Sequence, residues 1–416
     1  MIETFVFADV FFHINFRRDI AMVSEKMVEL GTKKSTIRTI FEFGQKRAKE
    51  VGKENIFDFS LGNPNVPAPN FIKQAILEIL DSVPSVDVHG YTVAAGNPDA
   101  REELAGSINK RFGVQISGRN LFLTSGAAAA ITITFKALSE PGDEYIAFAP
   151  FFPEYQCFVE SVGGKLIVVP ARTEDFQIDF DAFESRVTTN TKAVIVNSPN
   201  NPSGAVYSLD TIRRLADLLR KKEKEYGHPI FLISDEPYRE IAYDGIDVPY
   251  LTKYYENTIV CYSFSKSFSL PGERIGYVLV PDEVSDFEKV YGAIAGAARV
   301  LTHVNAPSLF QRVVARCAEM KPDLSVYENN GKMLYQGLKD AGFSCVRPQG
   351  AFYLFPKALE DDDYAFCERA KKYDLLLVPG ADFGCPGYFR AAYCVDTEMI
   401  ERSLPVFKKL AKEYQS

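Results

Sequence analysis

The sequence predicts an α/β fold: a large domain with a mostly parallel seven-stranded sheet sandwiched by helices, plus a smaller α+β domain formed by the N- and C-terminal segments. Three observations carry this expectation. Seven short apolar runs recur through the middle of the chain, at residues 120–124, 144–148, 165–169, 193–196, 230–234, 259–262 and 276–280. Helical spacing fills several of the gaps between them, clearest at residues 127–138 and 209–226, which is the βαβ pattern of a parallel sheet covered on both faces. The flanks have a different texture, with amphipathic patterns at 327–341, 361–373 and 397–414 alternating with short strand-like pieces at 351–355, 375–378 and 389–394.

Each run reads as a strand because it is continuous rather than alternating, the pattern expected where both faces are buried. The expected organisation is an N-terminal arm over 1–22, the first part of a small domain over 23–70, a large domain over 71–320, and the rest of the small domain over 321–416, with a cleft between the two bodies. Residues 1–16 are rich in Phe, Ile and Val, but Glu3 and Asp9 interrupt them and Arg17-Arg18 follow them. A secretory signal carries its positive charge before the apolar run, and the run is too short for a membrane span. The segment reads as an arm, upstream of an alternative start at Met22 or Met27.

Composition narrows the classes further. A chain of 416 residues with 46% hydrophobic and 25% charged residues has the balance of a globular protein, and a net charge of −8 with the signs interspersed argues against a nucleic-acid surface. Lys33-Lys34 and Lys221-Lys222 are short and read as solvated faces. The seven cysteines are scattered without a C-x-x-C pair or a histidine cluster, so neither a zinc site nor a disulfide framework is expected, and a cytoplasmic location is.

In open α/β sheets functional residues gather just beyond the carboxyl ends of strands. After the first run comes Thr124-Ser125-Gly126-Ala127-Ala128, a small-residue turn opening a helix, where backbone N–H groups and the helix dipole can hold a phosphate; tight packing alone also explains such a turn. After the fourth comes Asn197-Ser198-Pro199-Asn200-Asn201-Pro202-Ser203-Gly204, a cluster of turn formers that also offers three asparagine side chains. The fifth ends at Ser234-Asp235-Glu236-Pro237-Tyr238, where a carboxylate on an apolar strand needs a partner. The sixth is followed by Ser263-Phe264-Ser265-Lys266, with Arg274 eight residues on.

These motifs, in this order and together with Leu61-Gly62-Asn63-Pro64, Gly90-Tyr91 followed by Gly96 and Arg101, Gly272-Glu273-Arg274-Ile275-Gly276 and Phe389-Arg390, resemble the fold-type I pyridoxal-phosphate enzymes of the aspartate aminotransferase superfamily, class I/II, from about residue 35 to the end. The resemblance implies that Lys266 forms a Schiff base with pyridoxal 5'-phosphate and then shuttles the proton between substrate and cofactor. It implies that Asp235 pairs with the protonated pyridine nitrogen, which would answer the question of its partner. Asn201 and Tyr238 would hydrogen-bond the ring oxygen, favouring its ionised form and lowering the titration point of the lysine-bound cofactor. Ser125, Gly126, Ala127, Ser263 and Arg274 would hold the phosphate, joined by Tyr91 from a neighbouring subunit, which implies a homodimer with shared sites. Phe152 falls where the family stacks an aromatic ring, although Phe151 and Tyr155 compete for that place. Gly62, Asn201 and Arg390 would contact substrate, with Arg390 as a two-pronged clamp on the α-carboxylate.

The implied activity is an aminotransferase moving an amino group between an L-amino acid and a 2-keto acid, as part of amino-acid metabolism, with no metal, nucleic acid or membrane. The sequence departs from its relatives in two places. Ala127 stands where a hydroxyl residue is common. Arg299 lies one residue out of register with the arginine that reads a distal carboxylate and reads as an ordinary helix-surface residue, leaving acidic, aromatic and neutral amino donors open. On the same fold the alternatives are a β-lyase or related carbon–sulfur lyase, a racemase or a cyclopropane-forming synthase, and, from another class, a catalytically silent binding or regulatory homologue.

Overall fold

The computed structural model of the chain describes residues 23–32 and 36–415. The arm expected over 1–22 and the pair Lys33-Lys34 lie outside the described residues. Among those described, the strands in chain order are β1 (Phe57–Asp58), β2 (Leu121–Thr124), β3 (Glu144–Phe148), β4 (Lys165–Val169), β5 (Thr191–Asn197), β6 (Phe231–Asp235), β7 (Thr258–Ser263), β8 (Gly276–Leu279), β9 (Tyr353–Leu354), β10 (Leu375–Leu376), β11 (Val378–Pro379) and β12 (Phe389–Ala392).

Strands β2 to β8 are the seven apolar runs, with ends moved by a residue or two. They form one sheet in the order β2-β8-β7-β6-β5-β3-β4. All neighbours are parallel except at β8, which runs antiparallel to both β2 and β7. Alternation along each strand explains why the runs are apolar throughout. Ile195 and Ile233 pack in one core with Ile133 and Tyr145, while Val194 and Leu232 pack in another with Leu215 and Leu219. Helices therefore cover both faces. The helix Leu209–Tyr226 starts where Ser208 Oγ accepts from Thr211 N at 3.1 Å and stops at Gly227, which takes a left-handed φ of 76°.

The N- and C-terminal segments meet around a separate core of Phe59, Leu334, Tyr353, Leu375, Phe389 and Phe407. There β1 pairs in parallel with β10, and β12 lies between β11 and β9 in an antiparallel sheet. Two expected strands differ. In 351–355 only Tyr353–Leu354 joins a ladder, because Ala351 turns to a φ of 55°. The run 375–378 divides, its first half pairing with β1 and its second with β12.

Candidate active site

The parallel strands deliver their last residues to one edge of the sheet. Asn197 ends β5, Asp235 ends β6 directly opposite it, and Ser263 ends β7. Beyond that edge opens a cleft of about 300 Å³, closed on its other side by Gly62, Tyr353 and Arg390. Of the residues singled out in the sequence, Gly62, Ala127, Phe152, Asn201, Asp235, Tyr238, Ser263, Lys266, Arg274 and Arg390 line it together.

Asp235 is 4% exposed. Its Oδ2 accepts from Tyr155 Oη at 2.5 Å and from Asn197 Nδ2 at 3.4 Å, while Oδ1 is buried without a partner among the described residues. Burial pushes its carboxyl up to about 7, opposed by the Tyr155 hydrogen bond and reinforced by Glu236. Such a group accepts a proton readily and gains strongly from a cation placed at Oδ1.

Lys266 sits in the single turn Phe264–Ser267 that follows β7, and its Nζ donates to Gly62 O at 2.6 Å. Burial lowers its ammonium to about 8, with Arg390 and Arg274 pushing the same way and Cys394 opposing. About a tenth of Lys266 is then a free amine at pH 7, far more than for an ordinary lysine, which favours its use as a nucleophile.

Arg390, at 2% exposure, donates from Nη2 to Ser60 O at 2.5 Å and from Nη1 to Asn201 Oδ1 at 3.1 Å, and its Nε has no partner among the described residues. Its guanidinium lies over the rings of Tyr353, at 4.8 Å, and Phe383, at 4.9 Å. Asn201 is itself fixed by its N–H on Asn197 Oδ1, and the Tyr238 and Tyr353 hydroxyls are 2.8 Å apart. Arg274 donates to Ser125 O at 3.0 Å, beneath a turn in which Gly126 has a φ of 90°. A Cβ on Gly126 would stand 2.9 Å from Arg274 Nη2, so the glycine leaves room that any other residue would fill.

Ser125 and Gly126 shape this turn without lining the cleft, and Tyr91 is 96% exposed and lies away from the cleft of its own chain. Arg299 is exposed at the end of the helix Phe287–Val300 and does not line the cleft. The three competing aromatic residues separate. Phe152 lines the cleft, Tyr155 turns to Asp235, and Phe151 packs against Gly384. Sequence reasoning missed Ser265, Tyr353 and Ile37, which also line the cleft, and the supporting role of Tyr155.

The family model for aminotransferase class I and II matches residues 54–406. The chain belongs to the class I and II aminotransferases. A crystal structure of an amino transferase from Eubacterium rectale is 54% identical and superposes with a TM-score of 0.93, covering 95% of this chain and 100% of that one. Among curated relatives, the aspartate aminotransferase of Pyrococcus horikoshii is 29% identical, over 91% of this chain and 94% of its own length. The aromatic-amino-acid aminotransferase 2 of Thermococcus litoralis is 28% identical, over 91% and 96% respectively. This aminotransferase is thus a transaminase, and members of its family use pyridoxal phosphate.

Proposed function

We propose that this aminotransferase moves an amino group from an L-amino acid, acidic or aromatic and neutral, to a 2-keto acid, with Lys266 as the group that holds pyridoxal phosphate covalently and moves the substrate proton. The observation that carries the reading is Asp235. One carboxylate oxygen is held by Tyr155 and Asn197, and the other is buried and unpartnered among the described residues, on a side chain that lines the cleft shared with Lys266. That oxygen fits the protonated ring nitrogen of pyridoxal phosphate, which would supply the cationic partner that Asp235 Oδ1 does not find among the described residues.

Bound there, the cofactor supplies the electron sink that stabilises negative charge at the substrate Cα. Arg390 binds and orients the α-carboxylate, with its unpartnered Nε as the available prong. Lys266 Nζ would hold the cofactor and, as a free amine, would take the proton from the substrate Cα. Tyr238 and Asn201 donate to the ring oxygen. Ser263, Arg274 and the Ser125–Ala127 turn would hold the phosphate, and Phe152, on the cleft wall, would lie against the ring. The room left by Gly126 beside Arg274 supports the phosphate assignment.

The exposure of Tyr91 supports its reaching the phosphate of a second copy, in a homodimer with shared sites. A sedimentation mass of one chain would overturn that part. The division into 23–70 with 321–416 and 71–320, a cytoplasmic location and a place in amino-acid biosynthesis belong to the same reading. Among the described residues no helix is long and apolar enough to cross a membrane.

The test is a half-reaction. The protein reconstituted with pyridoxal phosphate, given single amino acids without a keto acid, converts its cofactor to the pyridoxamine form, and the absorbance spectrum follows the conversion. Release of ammonia without that conversion would identify a lyase instead. Lys266→Ala abolishes turnover, and retained turnover would sink the assignment.

A further inference from the structure

We propose that Tyr353 is a positioning residue that couples the Arg390 carboxylate clamp to the hydroxyl of Tyr238. The inference rests on the roles proposed above for Arg390 and Tyr238 and adds a residue to which neither the sequence motifs nor those roles assign a function.

Tyr353 comes from the short strand β9 and touches the site in three places. Its hydroxyl is 2.8 Å from that of Tyr238, and both phenols are buried. Its ring lies under the Arg390 guanidinium, 4.8 Å from ring centre to Cζ. Its hydroxyl also packs on the backbone of Gly62, where a Cβ would fall 1.9 Å from Tyr353 Oη, and the Gly62 carbonyl receives Lys266 Nζ.

Proton counting sets the direction of the phenol pair. A phenol has one proton to donate. If Tyr238 spends its proton on the cofactor's ring oxygen, the hydrogen between the two hydroxyls must come from Tyr353. Tyr353 then fixes the orientation of the Tyr238 hydroxyl and polarises it as a donor, since hydrogen bonds in a chain strengthen one another. The charge of Arg390 favours this by making Tyr353 a better donor, against the effect of burial. A carboxylate docked on Arg390 offsets part of that charge, so carboxylate binding and the ring-oxygen bond are linked through one side chain. The other groups bearing on the pair are Asp235 at Tyr238, and Cys394 at Tyr353.

The test uses holoenzyme and reads the pH titration of the visible band of the lysine-bound cofactor together with the affinity for acetate. Tyr353→Phe keeps the ring under Arg390 and removes only the hydroxyl. The band's midpoint is expected to rise by about half to one pH unit, the equivalent of one neutral hydrogen bond, while acetate affinity stays within about threefold on the same reasoning. Tyr353→Leu removes the ring as well and is expected to lose acetate affinity by about tenfold, in the range of a desolvated cation–π contact. Adding Tyr238→Phe to Tyr353→Phe gives no more rise than Tyr238→Phe alone if Tyr353 acts through Tyr238. A midpoint unmoved in Tyr353→Phe, or fully additive effects in the double variant, overturns the inference and leaves the assigned reaction standing. Absence of any titrating band in the wild-type holoenzyme overturns the Lys266 reading and this inference with it.

Discussion

Replacing Asp235 by asparagine should make the cofactor-free protein more stable at alkaline pH and the cofactor-bound protein weaker, opposite signs from one substitution. The carboxyl has an ordinary value of 3.8 and is pushed up to about 7 in the folded chain by burial. Between those values the unfolded chain is ionised while the folded chain keeps its proton. The stability this group contributes is therefore present below about pH 4 and lost as pH rises to about 7. At 1.36 kcal/mol per unit, the loss in the wild type is about 1 kcal/mol at pH 4.5 and about 4 kcal/mol at pH 8, the latter a ceiling. The amide of the Asp235→Asn variant carries no charge at either pH and keeps an acceptor for Tyr155, so the variant should escape the loss. Urea denaturation of the two apoproteins at pH 4.5 and pH 8 measures this. The expected result is a stability gain of at least about 1 kcal/mol that is larger at pH 8. With pyridoxal phosphate the sign reverses, because a buried ion pair broken on one side costs about 3–5 kcal/mol, or a loss of affinity of two orders of magnitude or more. Equal stability of the apoproteins at both pH values would refute the claim that burial holds this carboxyl high.

Three further outcomes follow from the same geometry. Lys266, lowered to about 8 by burial, should give apoprotein whose rate of cofactor uptake climbs with pH to a midpoint near that value; a rate still climbing near pH 10 would return the lysine to ordinary behaviour. Arg390→Lys keeps the charge but loses the planar fork that spans Asn201 and Ser60, and one lost charged hydrogen bond, about 1.5–3 kcal/mol, predicts a fall in kcat/KM of about 10- to 150-fold with the cofactor spectrum intact. Gly126→Ala places a Cβ 2.9 Å from Arg274 Nη2 at a φ of 90°, and if strain of about 1–3 kcal/mol falls on the phosphate turn it should weaken cofactor binding about 5- to 150-fold in a fluorescence titration.

The strands were legible because the sheet is buried on both faces, which leaves little choice of residue along Ala193–Val196 or Ile259–Tyr262. Residues at strand ends were legible for a related reason. Asp235 is the wrong chemistry for its place in an apolar run, and the conflict points to function. Tyr155 and Tyr353 carry no such conflict. In a chain with 21 tyrosines and 32 phenylalanines, a phenol beside an aromatic cluster looks like core until its hydroxyl is placed. Tyr155 had a usable signal in its position just past the end of β3, three residues after Phe152. Tyr353 had none, since its role depends on β9 meeting β12, a contact between segments about 35 residues apart. The shortened β9 escaped for a local reason, as no pattern of side chains announces that Ala351 takes a positive φ.

The stretch between β1 and the cleft shows why the N-terminal segment belongs to the chemistry as much as the strand ends do. Phe59 N donates to Leu376 O at 3.0 Å and Phe59 O accepts from Ala392 N at 2.8 Å, so this backbone is laid between β10 and β12. Asp58 Oδ1 takes both the N–H and the hydroxyl of Ser60. The carbonyls of Ser60 and Gly62 are thereby fixed, and each receives one of the cations of the cleft, Arg390 on the first and Lys266 on the second. Two buried cations close together would otherwise repel with little water to screen them. Neutral carbonyl partners orient both without cancelling either charge, leaving Arg390 Nε free for an anion and Lys266 free to lose its proton. A carboxylate in place of either carbonyl would hold Lys266 protonated or occupy Arg390, so the backbone is the partner that keeps both groups reactive.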